Sequence, residues 1–209
     1  MPEPSKPLPN RCGLHYGYTA LFPVEGEQGG GLLRVHLNGL DAHEHGSPFS
    51  GSTIIHLLRF IVIDRLPFEG YPAREDGLGS PYLVVMCDFD GEDVTDLARS
   101  LVEQAPEAVY DVLSHCVAFP FKTPSELAGE DAVEKLAAYL RRGQVETALY
   151  LSDQPDARVG DILRGIQLQM AFATFVADSQ TVPPCFLKHK FFEFWRLLSE
   201  AKQPLPGSL

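Results

Sequence analysis

The sequence predicts an α+β fold, an antiparallel sheet built in the order strand, helix, strand, strand, helix, strand, with additional C-terminal helices. Short apolar runs bounded by Pro- and Gly-rich connections lie near residues 14–22, 53–64, 81–89 and 144–151, the signature of strands. Between them lie stretches with apolar residues at helical spacing, for example Val94, Leu97, Ala98, Leu101 and Val102. At 44% hydrophobic and 22% charged residues the composition is that of a folding globular chain, and 209 residues suffice for one core with extensions.

Residues 1–12, with four prolines, read as a flexible N-terminal arm. Strand one is Leu14–Phe22, rich in aromatics and closed by Pro23. "LLRVHLNGL" suits a short helix. After the loop "DAHEHGSPFSGS" comes strand two, Thr53–Asp64, then a Pro/Gly-rich connection and strand three, "YLVVMCDFDG". Asp93 is placed to cap the next helix, with Asp96 adding negative charge to its first turn. A second helical segment, "PEAVYDVLSHCVAFP", follows. The helix "DAVEKLAAYLRR" ends at Gly143, a residue suited to a left-handed cap, and strand four is "QVETALYLS".

This βαββαβ order is that of the ferredoxin-like fold. Residues 13–153 form that domain, and residues 154–209 a helical extension packed on it. The extension holds helices Val159–Asp178 and Phe186–Ala201, separated by the Pro183-Pro184 break. Leu187, Phe191, Phe194, Trp195 and Leu198 line one face of the last helix and leave Lys188, Lys190 and Arg196 for solvent. Strands two and three are apolar at nearly every position, so both faces of the sheet are expected to be covered. The last helix is the expected cover for the second face, with a second copy of the chain as the alternative.

Seventeen Lys+Arg against 28 Asp+Glu give a net charge of −11, which argues against nucleic acid and anionic lipid as partners. No apolar run reaches the roughly 18 residues of a membrane span, and the N-terminus has no apolar signal core. A soluble, cytoplasmic protein with no membrane partner is expected. Cys12, Cys87, Cys116 and Cys185 show no C-x-x-C spacing and read as reduced thiols, with Cys87 and Cys116 acting as small hydrophobes.

Candidate ligand-binding residues are His56, Arg59 and His115. On a regular strand residues three apart point to opposite faces, so His56 would share a face with Leu58, Phe60 and Val62, and Arg59 one with Leu57, Ile61 and Ile63. A guanidinium among such residues is expected to sit in the interior, opposite a carboxylate or an anionic ligand. His43 and His45 with His56 form a candidate metal set, although a solvated loop is the simpler reading of "HEH" and the H-E-x-x-H spacing is missing. "CDFDGED" is read as a strand-to-helix turn rather than a calcium loop. His115, beside Cys116, reads as a packed or capping histidine, with axial haem ligation as the functional alternative.

The succession "HLLRFIVID", "SPYLVVMCDFDGE" and "VLSHCVAFP" resembles ferredoxin-like domains of the dimeric α/β-barrel superfamily, in which a His-x-x-Arg strand precedes a strand ending in aromatic-Asp-Gly. The similarity covers residues 14–121. The superfamily includes dye-decolourising peroxidases, chlorite dismutases, antibiotic-biosynthesis monooxygenases and members without assigned activity. The peroxidase G-x-x-D-G motif is not matched, because Asp88 and Asp90 precede Gly91 in "DFDGE". What the resemblance implies is the fold and a recurrent place for His56 and Arg59. No motif fixes a reaction or a cofactor, haem being the candidate. The functional expectation is a small-molecule-binding protein, in one form a haem-linked redox protein, using a cavity beside the sheet; the alternative is a non-catalytic interaction or homodimerising module.

Overall fold

The structure is a computed structural model that describes residues 10–26, 28–40, 47–65, 70–71 and 78–204. Among them a mixed α+β architecture stands out, with a four-stranded antiparallel sheet and six α-helices. The strands are β1 (Arg11–Cys12), β2 (His15–Pro23), β3 (Ile55–Ile63) and β4 (Tyr82–Asp90), in the spatial order β1-β2-β4-β3. The helices are α1 (Gly29–Leu40), α2 (Val94–Gln104), α3 (Pro106–Leu113), α4 (Ala132–Gly143), α5 (Val159–Ser179) and α6 (Pro184–Glu200).

Alternation along β2 and β4 assigns the faces. Tyr16, Tyr18, Ala20 and Phe22 of β2 and Leu83, Val85, Cys87 and Phe89 of β4 are buried and belong to one hydrophobic core with residues of α2, α3 and α4. Leu97, Leu101, Val109, Val112, Leu136 and Leu140 are the helical side of that core. Polar groups inside it are satisfied, as where the Tyr18 hydroxyl donates to the Leu140 carbonyl at 2.8 Å. Asp93 caps α2 as expected, its carboxylate accepting from Thr95 N at 2.7 Å. Gly143 departs from expectation. It ends α4 without a left-handed conformation, and it is small because a Cβ there would run into the Phe22 ring.

The expected strand at 144–151 does not form. Gln144 makes one bridge to Ala20, Val145 N donates to Thr19 O at 2.8 Å, and pairing stops there. The rest of that edge of β2 is taken by β1, with Arg11 opposite Tyr16 and Cys12 opposite His15. Arg11 and Cys12 are therefore sheet residues rather than arm, and Asn10 is the turn before them; residues 1–9 lie outside the described residues. Asn10 ties the two segments together, its side chain accepting from Thr147 N at 2.7 Å.

Among the described residues, the cover expected on both faces from the apolar strands is complete on one and on the other reaches only the end that holds His15. Leu21, Leu57 and Ile61 on the second face are 40%, 45% and 39% exposed. The C-terminal helices pack on each other instead: Phe175 meets Phe194 at 4.9 Å between ring centres, and Arg164 donates to the Leu198 carbonyl. Helix α6 has no buried residue, and Trp195, expected to pack inward with Phe191, is 55% exposed. The apolar stripe of α6 spends its width on α5, too narrow a partner to enclose a tryptophan.

Candidate functional site

The answer to why a histidine sits in the apolar β3 run is a β-bulge. Ile55 pairs with Phe89 and Leu57 with Asp88, so His56 is an extra residue between two consecutive partners on β4. The bulge cancels the alternation expected for a regular strand. His56 leaves the face of Leu58 and Phe60 and reaches Asp90 on the other one, its Nε2 at 2.8 Å from Asp90 Oδ1. The sequence-based separation of His56 from Arg59 is thereby overturned: both belong to the face away from the α2–α4 layer.

Asp90 ends β4, and the β2–β4 register sets it directly opposite His15. His15 Nε2 lies 3.5 Å from Asp90 Oδ1, and the two imidazole rings are 4.3 Å apart between centres. His15 also contacts Ser152 Oγ through Nδ1 at 2.6 Å and the Ala157 carbonyl through Nε2 at 2.8 Å. The other Asp90 oxygen accepts from Val159 N, the first residue of α5, at 2.9 Å. One carboxylate thus holds two imidazoles and the start of a helix, with side-chain exposures of 5% for His15, 18% for His56 and 10% for Asp90.

Asp88 stands one alternation away on the same face. Burial pushes its carboxyl up, opposed by the neighbouring His56 and His15 imidazoles and by a hydrogen bond with Tyr150. The Tyr150 hydroxyl is pushed up to about 12, by burial first and by the Asp88 charge second. Its ring lies over Gly17, where a Cβ would come within 2.7 Å of Tyr150 Cδ2. Segment 150–158 therefore roofs this end of the sheet. Beside the cluster an open cleft of about 670 Å³ is walled by Asp90 with Arg11, Glu92, Asp96, Arg99 and Arg158.

The other sequence candidates are not brought here. Arg59 is exposed, and among the described residues no carboxylate pairs with it, which corrects the expectation of an interior, satisfied guanidinium. It needs no partner because its face of β3 is open to water. His115 belongs to the far end of β2, where its carbonyl accepts from Glu25 N at 2.9 Å and its ring lies 5.8 Å from that of His36. Its pKa is lowered by burial and then by His36, against a raising contribution from Asp111. His43 and His45 lie outside the described residues. Cys87 and Cys116 are buried free thiols, and burial pushes the Cys116 thiol up to about 12, so both are inert packing groups.

His15 and Asp90 carry the site; His15 was not singled out from sequence, and Asp90 only as part of the "CDFDGED" turn. Their meeting depends on the β2–β4 register, for which no local signal exists. Haem does not fit the described residues: His115 is at the opposite end of β2, and Arg11, Glu92, Asp96, Arg99 and Arg158 stand in the cleft wall where haem requires an apolar slot. Compared with known protein families, curated proteins and solved structures, the chain finds no match.

Proposed function

We propose that the chain is a small-molecule-binding protein that works at the cleft beside the His15–His56–Asp90 cluster. The observation that carries this reading is the convergence of two imidazoles on one nearly buried carboxylate in the wall of a cleft large enough for a metabolite-sized ligand. Arg11, Arg99 and Arg158 interspersed with Glu92 and Asp96 favour a polar ligand carrying both donors and acceptors over a polyanion. The frame we assign to it is ferredoxin-like. Support comes from the β2-β4-β3 order and from Gln144 and Val145, which lie against β2 where the fourth strand of that fold belongs. Membership of the dimeric α/β-barrel superfamily and a cytoplasmic setting go with this reading. No helix among the described residues is long and apolar enough to cross a membrane.

The test is a melting-temperature screen of polar metabolites against the full chain and against Arg158→Ala. A ligand that raises the melting temperature of the wild type, and raises it less in the variant, supports the cleft. A screen in which every ligand shifts both proteins equally sinks it.

A second reading, a homodimerising module, is favoured by a different observation. Phe186, Phe192, Trp195 and Leu197 of α6 are 55–61% exposed, and the same chain has an open apolar sheet face. Sedimentation equilibrium of the full chain and of Trp195→Glu separates the two: a dimer that the substitution splits supports the module, and a wild-type monomer at micromolar concentration rejects it.

A further inference from the structure

From the same cluster we infer a binding site for one divalent first-row transition-metal ion, held by His15 Nε2, His56 Nε2 and Asp90 Oδ1. The inference rests on the cleft reading above and gives that cleft its reactive group.

The ligand set comes first. Each of the three residues offers one ligand atom, and those atoms all lie within 4.8 Å of one another. An ion bound at about 2.1 Å from each of two nitrogens and an oxygen needs ligand atoms roughly 3.0–3.5 Å apart. The two separations to Asp90 Oδ1, 2.8 Å and 3.5 Å, bracket that spacing. Two imidazoles and one carboxylate suit borderline divalent ions of the first transition row rather than magnesium or calcium, which take oxygen.

The surroundings hold the set in place. His15 Nδ1 meets Ser152 Oγ, and Asp90 Oδ2 accepts from Val159 N, so the non-ligating atom of each is already engaged. Such outer contacts orient metal ligands and fix the imidazole tautomer. Without an ion, His15 donates from Nε2 to the Ala157 carbonyl and its Nδ1 accepts the Ser152 hydroxyl proton. With an ion, the proton moves to Nδ1, the serine hydroxyl becomes the acceptor, and the Nε2 lone pair is free to ligate. Serine can take either role, so the change costs no hydrogen bond at Nδ1.

A purely structural clamp on α5 would require less. Asp90 and the Val159 amide suffice to pin the helix start, yet a bulge in β3 brings a second imidazole to the carboxylate oxygen that already faces His15. Three protein ligands leave coordination positions vacant beside the cleft that Asp90 lines.

The experiment uses the full chain, stripped with chelator and titrated with Co²⁺ and then Zn²⁺. We expect one equivalent of Co²⁺ to develop visible d–d absorption that Zn²⁺ displaces, together with a rise in melting temperature. His56→Gln keeps a donor for Asp90, and Asp90→Asn keeps an acceptor for Val159, so both should melt near the wild type in chelator. Each should bind Co²⁺ at least about 100-fold more weakly. If the wild type shows no saturable Co²⁺ absorption, or if the variants bind as tightly as it does, the ion site is wrong and the cluster is a hydrogen-bonded clamp. Repeating the metabolite screen in chelator separates the two readings: a ligand that still shifts the melting temperature leaves the cleft standing without its ion.

Discussion

On one face of the sheet Tyr18, Phe22, Leu83 and Phe89 are at most 2% exposed, while on the other, from the same strands and from β3, Leu21, Leu57 and Ile61 are 39–45% exposed. Both faces are written in apolar residues. The difference lies in what the chain supplies to cover them. Helices α2, α3 and α4 follow β4 closely in sequence and pack over the first face, closing a core that includes the stacked Phe22 and Tyr139 rings, 4.8 Å apart. The later helices α5 and α6 pair with each other, and much of their apolar surface, including Phe172, Phe192 and Trp195, stays exposed. An apolar strand face thus does not by itself report that the same chain covers it.

If the helical face carries the stability, substitutions there should dominate. Phe89→Ala, removing a fully buried ring beneath α2, should lower the unfolding free energy by about 3–5 kcal/mol, read from urea midpoints at constant slope. A loss under about 1 kcal/mol would mean that this core is far looser than its burial implies. Gly143→Ala comes next. Phe22 is held against Tyr139 and cannot yield to the added methyl, so a loss of about 1–3 kcal/mol is expected in spite of alanine's better helix propensity.

His115 should give a smaller, pH-dependent effect. Its folded pKa lies below the ordinary histidine value, so the folded protein releases the proton more readily than the unfolded chain. The neutral form's stability is fully present above the unfolded pKa of about 6.5 and is lost as the pH falls from there through the folded pKa. Urea midpoints at pH 7.5 and 5.5 should therefore fall less for His115→Gln than for the wild type, with His36 and Asp111 unchanged as its charged neighbours. An equal fall in both proteins would assign the acid sensitivity elsewhere.

Least of all should come from Trp195→Ala. In dilute monomeric protein the midpoint should move by no more than about 0.5 kcal/mol, because over half of the side chain is already in water. A loss of several kcal/mol that grows with protein concentration would show that the hairpin is buried in an assembly, and the two faces of the sheet would then differ only in whose helices cover them.

Much of the architecture was legible because its signals are local. Apolar periodicity located β2, β3 and β4 and five of the six helices to within a few residues, α3 stopping at Leu113 well short of the segment read for it, and Asp93 marked the start of α2 through its own hydrogen bond to Thr95. An apolar run such as "QVETALYLS" satisfies the same local rules as a strand, yet only its first two residues pair with β2, since β1 occupies the neighbouring stretch of the β2 edge. Competition for an edge is a property of the assembled sheet.

The candidate site belongs almost wholly to that second kind of information. His56 was conspicuous as a polar residue in an apolar run, but its direction depended on a bulge that exists only relative to β4. His15 and Asp90 are 75 residues apart in the chain by their numbering and meet because β2 and β4 share one register from end to end. Residue types and periods act over a few positions and dictate elements. Register, bulges and the choice of covered face come from contacts between distant segments, whose free energies are settled only when the segments pack together.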